Sequence, residues 1–136
     1  MTLEILDARN VWKDGTWFKD GSGRYLLFRG VNFASRSKLP PYLPVFPLDH
    51  RNASLDTLKK ELLQVRPALD GLEQLGFNVV RFLVMWKALE PFPNPDLDSL
   101  LPEGEKYLAM VREIIDVIHE FGIYTIIDFH QDIAHE

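Results

Sequence analysis

Polar and charged side chains stand where the predicted β-strands end, and these are the residues that could do chemistry. Residues 128–132 read Asp-Phe-His-Gln-Asp at the end of an apolar segment. Because side chains alternate along a strand, Asp128 and His130 share one face, and Asp132 joins them if the extended path continues. Two carboxylates and an imidazole on one face can bind several hydroxyl groups of a polyol, and they could also bind a metal ion.

A metal site is the alternative use of this segment. Four residues of ligand type lie close together in sequence, namely His130, Asp132, His135 and Glu136. Their spacing matches none of the helical or turn spacings that are typical of zinc sites, and the chain has no cysteine. We therefore expect no metal here, and no other pattern in the sequence indicates a cofactor.

Arg81 is the one charged residue in a strand predicted over residues 77–86. A guanidinium buried there without a partner would be costly, so we expect a carboxylate beside it. That pair could be a structural ion pair, or the partner could be a catalytic carboxylate whose charge Arg81 stabilises. Trp86 ends the same strand, where a tryptophan can stack on a sugar ring or simply pack.

Composition limits the class of protein. The 136 residues include 15 Lys+Arg and 20 Asp+Glu, which gives a net charge of −5, with 46% hydrophobic residues. This balance is typical of a folded globular protein, and its acidity argues against nucleic-acid binding. The lack of cysteine excludes a disulfide framework. Residues 1–10 show no basic segment followed by an apolar one, so no signal peptide is visible and the compartment stays open.

The residues that could do chemistry must be positioned by an alternation of strands and helices. Turn residues around Asp20-Gly21 predict a hairpin over residues 11–28, which continues into a strand near residues 29–32. Lys38 lies on the proline-rich loop that follows, where a lysine is usually solvated. The loop's apolar residues favour an ordered, packed loop.

Two amphipathic helices are predicted in the second half of the chain. The first starts at the N-cap Ser54, has a break or kink at Pro67 and ends at Gly76, whereas the second covers residues 102–121. Apolar strands over residues 77–86 and 123–129 follow the two helices in turn.

The order strand, helix, strand, helix, strand predicts an α/β fold with a parallel sheet. An open doubly wound sheet and a (β/α)8 TIM barrel both fit. A barrel takes about 250 residues, so we interpret residues 1–136 as the N-terminal segment of a single barrel domain that this chain leaves incomplete. The hairpin of residues 11–28, with Trp12 and Trp17, is then expected to close the bottom of the barrel.

Three segments together resemble glycoside hydrolase family 5, whose members are retaining (β/α)8 enzymes. The segments are residues 29–32 (Arg-Gly-Val-Asn), residues 76–82 with Trp86, and residues 128–132. The last segment and residues 32–38 are most similar to the endoglycoceramidase and glycosylceramidase branch. The resemblance implies hydrolysis of glycolipids or related β-glucosides, with a carbohydrate or glycolipid as partner and without nucleic acid. It also leaves open a peripheral contact with a membrane surface.

The resemblance also implies residue roles. Arg81 matches the arginine that holds the nucleophilic glutamate, and His130 matches a histidine that lines the first sugar subsite. The positions that contact sugar hydroxyls are matched by Lys38, Asp128 and Asp132.

One departure from the family pattern concerns the reaction itself. The family uses two glutamates, one in an Asn-Glu pair after the fourth strand and one after the seventh, with carboxyl groups about 5–5.5 Å apart. The sequence contains no Asn-Glu pair, so we expect substrate-pocket residues here but neither catalytic glutamate, and an inactive isolated chain. A non-catalytic carbohydrate-binding or pseudoenzyme piece, and an unrelated open-sheet domain, are the alternatives.

Overall fold

The computed structural model describes residues 10–34, 36–44, 48–49, 51–96 and 98–131. In chain order, the strands are β1 (Val11–Asp14), β2 (Trp17–Asp20), β3 (Tyr25–Leu26), β4 (Gly30–Phe33), β5 (Val79–Met85) and β6 (Tyr124–His130). The helices are α1 (Leu55–Gln74), α2 (Trp86–Leu89) and α3 (Pro102–Glu120).

The N-terminal strands form an antiparallel sheet in the order β1-β2-β3. We expected a two-stranded hairpin here, but the structure has three strands. The additional turn is made by Asp14-Gly15, in which Gly15 has a φ of 62°. The second turn is the predicted one, and the Asp20 carboxylate stabilises it by accepting hydrogen bonds from the backbone N–H groups of Ser22 (2.9 Å) and Arg24 (3.0 Å). The missed turn carries the same Asp-Gly signal as the predicted one.

Aromatic contacts fix where this antiparallel sheet lies. The ring of Phe28 is 5.4 Å from that of Phe18 and 5.7 Å from that of Tyr124, between centroids. Because Tyr124 is the first residue of β6, the antiparallel sheet lies at the amino end of the parallel strands.

The other three strands form a parallel sheet in the order β4-β5-β6. The register pairs Asn32 with Arg81 and Arg81 with Ile126. Asp128 and His130 pair with residues near the carboxyl end of β5. The prediction of a parallel sheet is thus confirmed for the described residues, with the apolar β5 at its centre. This register decides which side chains meet at the carboxyl ends of the strands.

The first long helix begins and ends where the sequence predicts. The Ser54 hydroxyl accepts a hydrogen bond from the Thr57 N–H at 3.1 Å, and Gly76 ends the helix with a φ of 77°. Pro67, for which we expected a break or a kink, lies inside α1 and does not break it. Burial of Leu62 and Leu69 on either side offsets the proline's missing hydrogen bond.

The core lies between the two long helices and one face of the parallel sheet. Its buried residues include Val80, Phe82 and Val84 of β5, Leu58, Leu62 and Leu69 of α1, and Tyr107, Met110, Val111, Ile114 and Ile118 of α3. Two ion pairs also join α1 to α3, one of them between Arg66 and Glu120 at 2.6 Å.

The proline-rich loop packs onto this core, as the sequence predicts, over residues 36–44. Leu43 is fully buried, and the buried Tyr107 hydroxyl donates a hydrogen bond to the Tyr42 carbonyl at 3.0 Å. Burial raises the pKa of Tyr107 to about 12. The helix-facing core therefore anchors the start of the loop that leaves β4.

The strand predicted to end at Trp86 is one residue shorter, because Trp86 begins the short helix α2. This helix packs against the first turn of α3, where Gly104 is buried and allows close approach of the Leu89 backbone. None of the helices in the described ranges is long and apolar enough to span a membrane.

Candidate functional site

The carboxyl ends of the parallel strands bring four polar side chains together. We call Asn32, Arg81, Asp128 and His130 the strand-end cluster. The register explains the meeting, since Asn32 lies beside Arg81 while Asp128 and His130 follow two and four residues beyond the Arg81 level on the next strand. All four lie on the face opposite the helix-facing core residues of β5.

Arg81 contacts the other three members of the strand-end cluster. Its Nη2 forms an ion pair with the Asp128 carboxylate and lies 2.9 Å from His130 Nε2, while its Nη1 donates to Asn32 Oδ1 at 3.4 Å. The carboxylate partner expected for this arginine is therefore Asp128, on the neighbouring strand. We had expected the side chain of Arg81 to be buried, but it is 44% exposed. Its register partners Asn32 and Ile126 are exposed too, whereas Leu83 and Met85, further along the same face, are buried.

Asp128 contacts both Arg81 and His130 through one oxygen. Its Oδ2 is 2.7 Å from His130 Nε2 and also takes part in the ion pair with Arg81. The side chains of Asp128 and His130 are 28% and 18% exposed, so both are half-buried. Because the pair remains in contact with water, its electrostatic contribution to stability is modest.

An aromatic pocket of about 360 Å³ borders the strand-end cluster. It is lined by Trp86, Phe129, His130 and Gln131. The rings of Trp86 and Phe129 are 49% and 62% exposed, and His130 belongs to both the pocket and the cluster. Apolar ring faces beside hydrogen-bonding groups are the combination that binds amphipathic rings such as sugars.

The two remaining predicted site residues are Lys38 and Asp132. Lys38 is half-buried in the turn after β4, which places it at the same end of the sheet as the strand-end cluster. Asp132 lies outside the described residues, as do His135 and Glu136. Within the part of the chain that the structure covers, no three acidic or histidine side chains are arranged to hold a metal ion.

The sequence had singled out the end of the first main strand without naming Asn32 as a site residue. Its amide meets Arg81 because the two are register partners, and that register is not readable from either strand alone. The signal that could have found it is the polar residue at the end of the Arg-Gly-Val-Asn segment.

Comparison with known proteins decides the family. A family model described as Cellulase (glycosyl hydrolase family 5) matches residues 47–136, which is more than half of the chain. The chain belongs to glycosyl hydrolase family 5. The resemblance stated from the sequence is thus confirmed, and the family implies a TIM-barrel fold for the domain to which these strands and helices belong.

Curated family 5 relatives share sequence along most of the chain. A glucosylceramidase of Rhizopus delemar is 33% identical over 131 residues, covering 90% of this chain and 18% of the relative. Endoglycoceramidase I of Rhodococcus hoagii is 31% identical over 123 residues, covering 88% of this chain and 19% of the relative. The chain therefore spans about a fifth of the length of these relatives.

Two solved structures share the fold of this chain. A crystal structure of endogalactoceramidase superposes with a TM-score of 0.52 at 30% identity, over 85% of this chain and 21% of the other. The exo-beta-1,4-mannosidase Op5Man5 from Opitutaceae bacterium strain TAV5 also gives a TM-score of 0.52, at 22% identity over 95% of this chain and 18% of the other. The second likeness concerns the fold alone.

Proposed function

We propose that a protein containing this chain is a retaining β-glycosidase that hydrolyses glycolipids of the glycosylceramide type or related β-glucosides. The observation that carries the proposal is the strand-end cluster beside the aromatic pocket, at the end of the sheet where parallel α/β folds hold their active sites. The names of the relatives, glucosylceramidase and endoglycoceramidase, support the glycolipid substrate class.

The proposed roles follow the resemblance. Arg81 holds and stabilises the nucleophilic carboxylate, and His130 lines the first sugar subsite. Hydroxyl groups of the sugar are bound by Lys38 and Asp132, and the resemblance implies the same role for Asp128. Support comes from the contact of Arg81 with His130 and Asp128, since the resemblance implies a different role for each of these three residues.

The reaction needs two more carboxyl groups, which we propose lie on sequence outside these 136 residues. Retention requires an acid/base and a nucleophile about 5–5.5 Å apart. Among the described residues, the carboxylate in the strand-end cluster is Asp128, whose Oδ2 already contacts Arg81 and His130. The chain alone is therefore expected to be inactive.

We propose that the remainder of the same barrel covers the open parts of this sheet, and that residues 11–28 close the barrel at its bottom. Within the described residues, β4 and β6 each pair on one side only. The side chains of Ile126, Ile127 and Phe129 on β6 are 48%, 51% and 62% exposed. Backbone groups and apolar side chains left open in this way are what a further strand and helix would bury.

A peripheral contact with a membrane surface belongs to the same proposal. Leu39, Trp86 and Phe92 are 55%, 49% and 62% exposed, and all three lie in segments that follow the carboxyl ends of β4 or β5. Exposed apolar side chains at this end of the sheet would let a lipid-linked sugar reach the cluster without leaving the bilayer entirely.

The test uses the full-length protein with glucosylceramide and with an aryl β-glucoside. We expect turnover of at least one of them, with the β-anomer of glucose as first product when the reaction is followed by proton NMR. Sugar binding without turnover would instead indicate a non-catalytic carbohydrate-binding protein. Release of the α-anomer would contradict the retaining mechanism, and turnover by the purified 136-residue chain would contradict the proposed location of the catalytic carboxyl groups.

A further inference from the structure

We infer that Asp128 is a positioning residue, which fixes His130 as the tautomer protonated on Nε2 and orients the Arg81 guanidinium in the strand-end cluster. The assignment concerns a residue that the resemblance treats as a sugar contact. Its kinetic consequence rests on the proposed function, whereas its structural consequence does not.

The tautomer follows from which atoms can donate. An ionised carboxylate only accepts hydrogen bonds, and the ion pair with Arg81 requires Asp128 to be ionised. His130 Nε2 lies 2.7 Å from Asp128 Oδ2, so Nε2 must carry the proton in the neutral ring as well as in the charged one. In the neutral ring the proton-free nitrogen is then Nδ1.

The same constraint reassigns the contact between Arg81 and His130. Arg81 Nη2 is 2.9 Å from Nε2, but a protonated Nε2 has no lone pair to accept from a guanidinium. Both groups therefore direct their N–H bonds at the shared oxygen, Asp128 Oδ2. One carboxylate oxygen thus sets the orientation of both side chains.

Neighbouring residues on β5 offer no substitute for this carboxylate. The register partner of Asp128 is Leu83 and that of His130 is Met85, and both are apolar and buried. Asn32 contacts Arg81 through a neutral amide at 3.4 Å. This contact is longer than the ion pair of Arg81 with Asp128 and carries no charge. Asp128 is thus the anion that Arg81 and His130 share.

The structural test reads the imidazole nitrogens directly in the full-length protein labelled with ¹⁵N-histidine, at a pH where the ring is neutral. We expect His130 to show a pyrrole-type shift for Nε2 and a pyridine-type shift for Nδ1, with assignment by loss of the signals in His130→Gln. In Asp128→Asn both shifts should move towards averaged values. The matched control is Asp116→Asn, the same substitution on the exposed side of α3. A wild-type ring protonated on Nδ1, or unchanged shifts in Asp128→Asn, would overturn the inference.

The kinetic test separates positioning from sugar contact. Positioning predicts that Asp128→Asn lowers kcat by about tenfold or more while KM changes little, because its partners act on the reacting centre. It also predicts that Asp128→Asn combined with Arg81→Lys loses no more than the worse single variant. A raised KM at normal kcat, or additive losses, would show a direct sugar contact instead. If the wild type turns over no glycoside, the proposed function fails, and the nitrogen shifts still decide the role of Asp128.

Discussion

Two helical glycines are predicted to respond in opposite directions to the same substitution. Gly71 lies within α1 and Gly104 in the first turn of α3. Replacing glycine by alanine in a helix restricts the unfolded chain and favours the folded state by about 0.5–1 kcal/mol. A methyl group at Gly71 would meet no atom within 4 Å, so that gain should appear undiminished.

At Gly104 the added methyl group meets the backbone of α2. Its Cβ would lie 2.0 Å from the Leu89 carbonyl oxygen and 3.0 Å from the carbonyl carbon. Ordinary non-bonded separations are about 3.5 Å or more, so α2 and α3 would have to move apart by about 1 Å or more. Overpacking of this kind costs about 1–3 kcal/mol, and the helix-propensity gain of about 1 kcal/mol offsets only part of it.

Urea unfolding of the protein that carries this chain compares the two variants. We expect Gly71→Ala to be at least as stable as the wild type and Gly104→Ala to be less stable by up to about 2 kcal/mol. Because α2 begins with Trp86, Gly104→Ala should also weaken sugar binding at the aromatic pocket. Equal stability of the two variants would refute the close approach of α2 and α3.

Three further predictions concern single groups. Tyr107→Phe removes the donor to the buried Tyr42 carbonyl and should lower the free energy of unfolding by about 1–2 kcal/mol, so an unchanged urea midpoint would contradict that hydrogen bond. Burial raises the pKa of Asp20, but the hydrogen bonds and charge of its turn partners outweigh the effect of burial, so the pKa is lowered overall. The ionised Asp20 therefore stabilises the fold above the unfolded-state pKa near 3.9, and this stabilisation is lost as pH falls through the lower folded-state pKa. The melting temperature of the wild type should therefore fall more steeply below about pH 4 than that of Asp20→Asn, and parallel pH profiles would contradict this. In the complete enzyme, Arg81→Ala should lower kcat at least about tenfold, which is about 1.4 kcal/mol of transition-state stabilisation, and near-normal kinetics would exclude the assigned role.

Most of the fold is local enough to be predicted from the sequence. Apolar periodicity and the caps at Ser54 and Gly76 locate α1, since both caps act within a few residues of the chain. The prediction is wrong where tertiary packing overrides a local rule. Pro67 does not break α1, because the apolar stripe on both sides of it is buried, and the helix α2 forms where a continuous apolar run favoured a longer strand.

The candidate site was predictable in its residues but not in its pairings. Alternation along one strand predicts that Asp128 and His130 share a face, and the structure brings them into contact. The partner of Arg81 depends on the register between β5 and β6, which is set by packing of the whole sheet. Sequence therefore predicts that Arg81 needs a carboxylate, and only the fold says which one it has.

The two uses weighed for Arg81, structural pairing and catalytic support, are compatible in this geometry. A guanidinium has five N–H donors, and the contacts within the strand-end cluster use Nη1 and Nη2. Asp128 thus compensates the charge of the guanidinium, while the face of the sheet around Arg81 is open enough to leave its side chain 44% exposed. Covering that face with the rest of a barrel would lower the local dielectric and strengthen every interaction of the cluster. A second carboxylate approaching from that side would then meet an arginine already held in place, which is the condition for stabilising charge without reorganisation during the reaction.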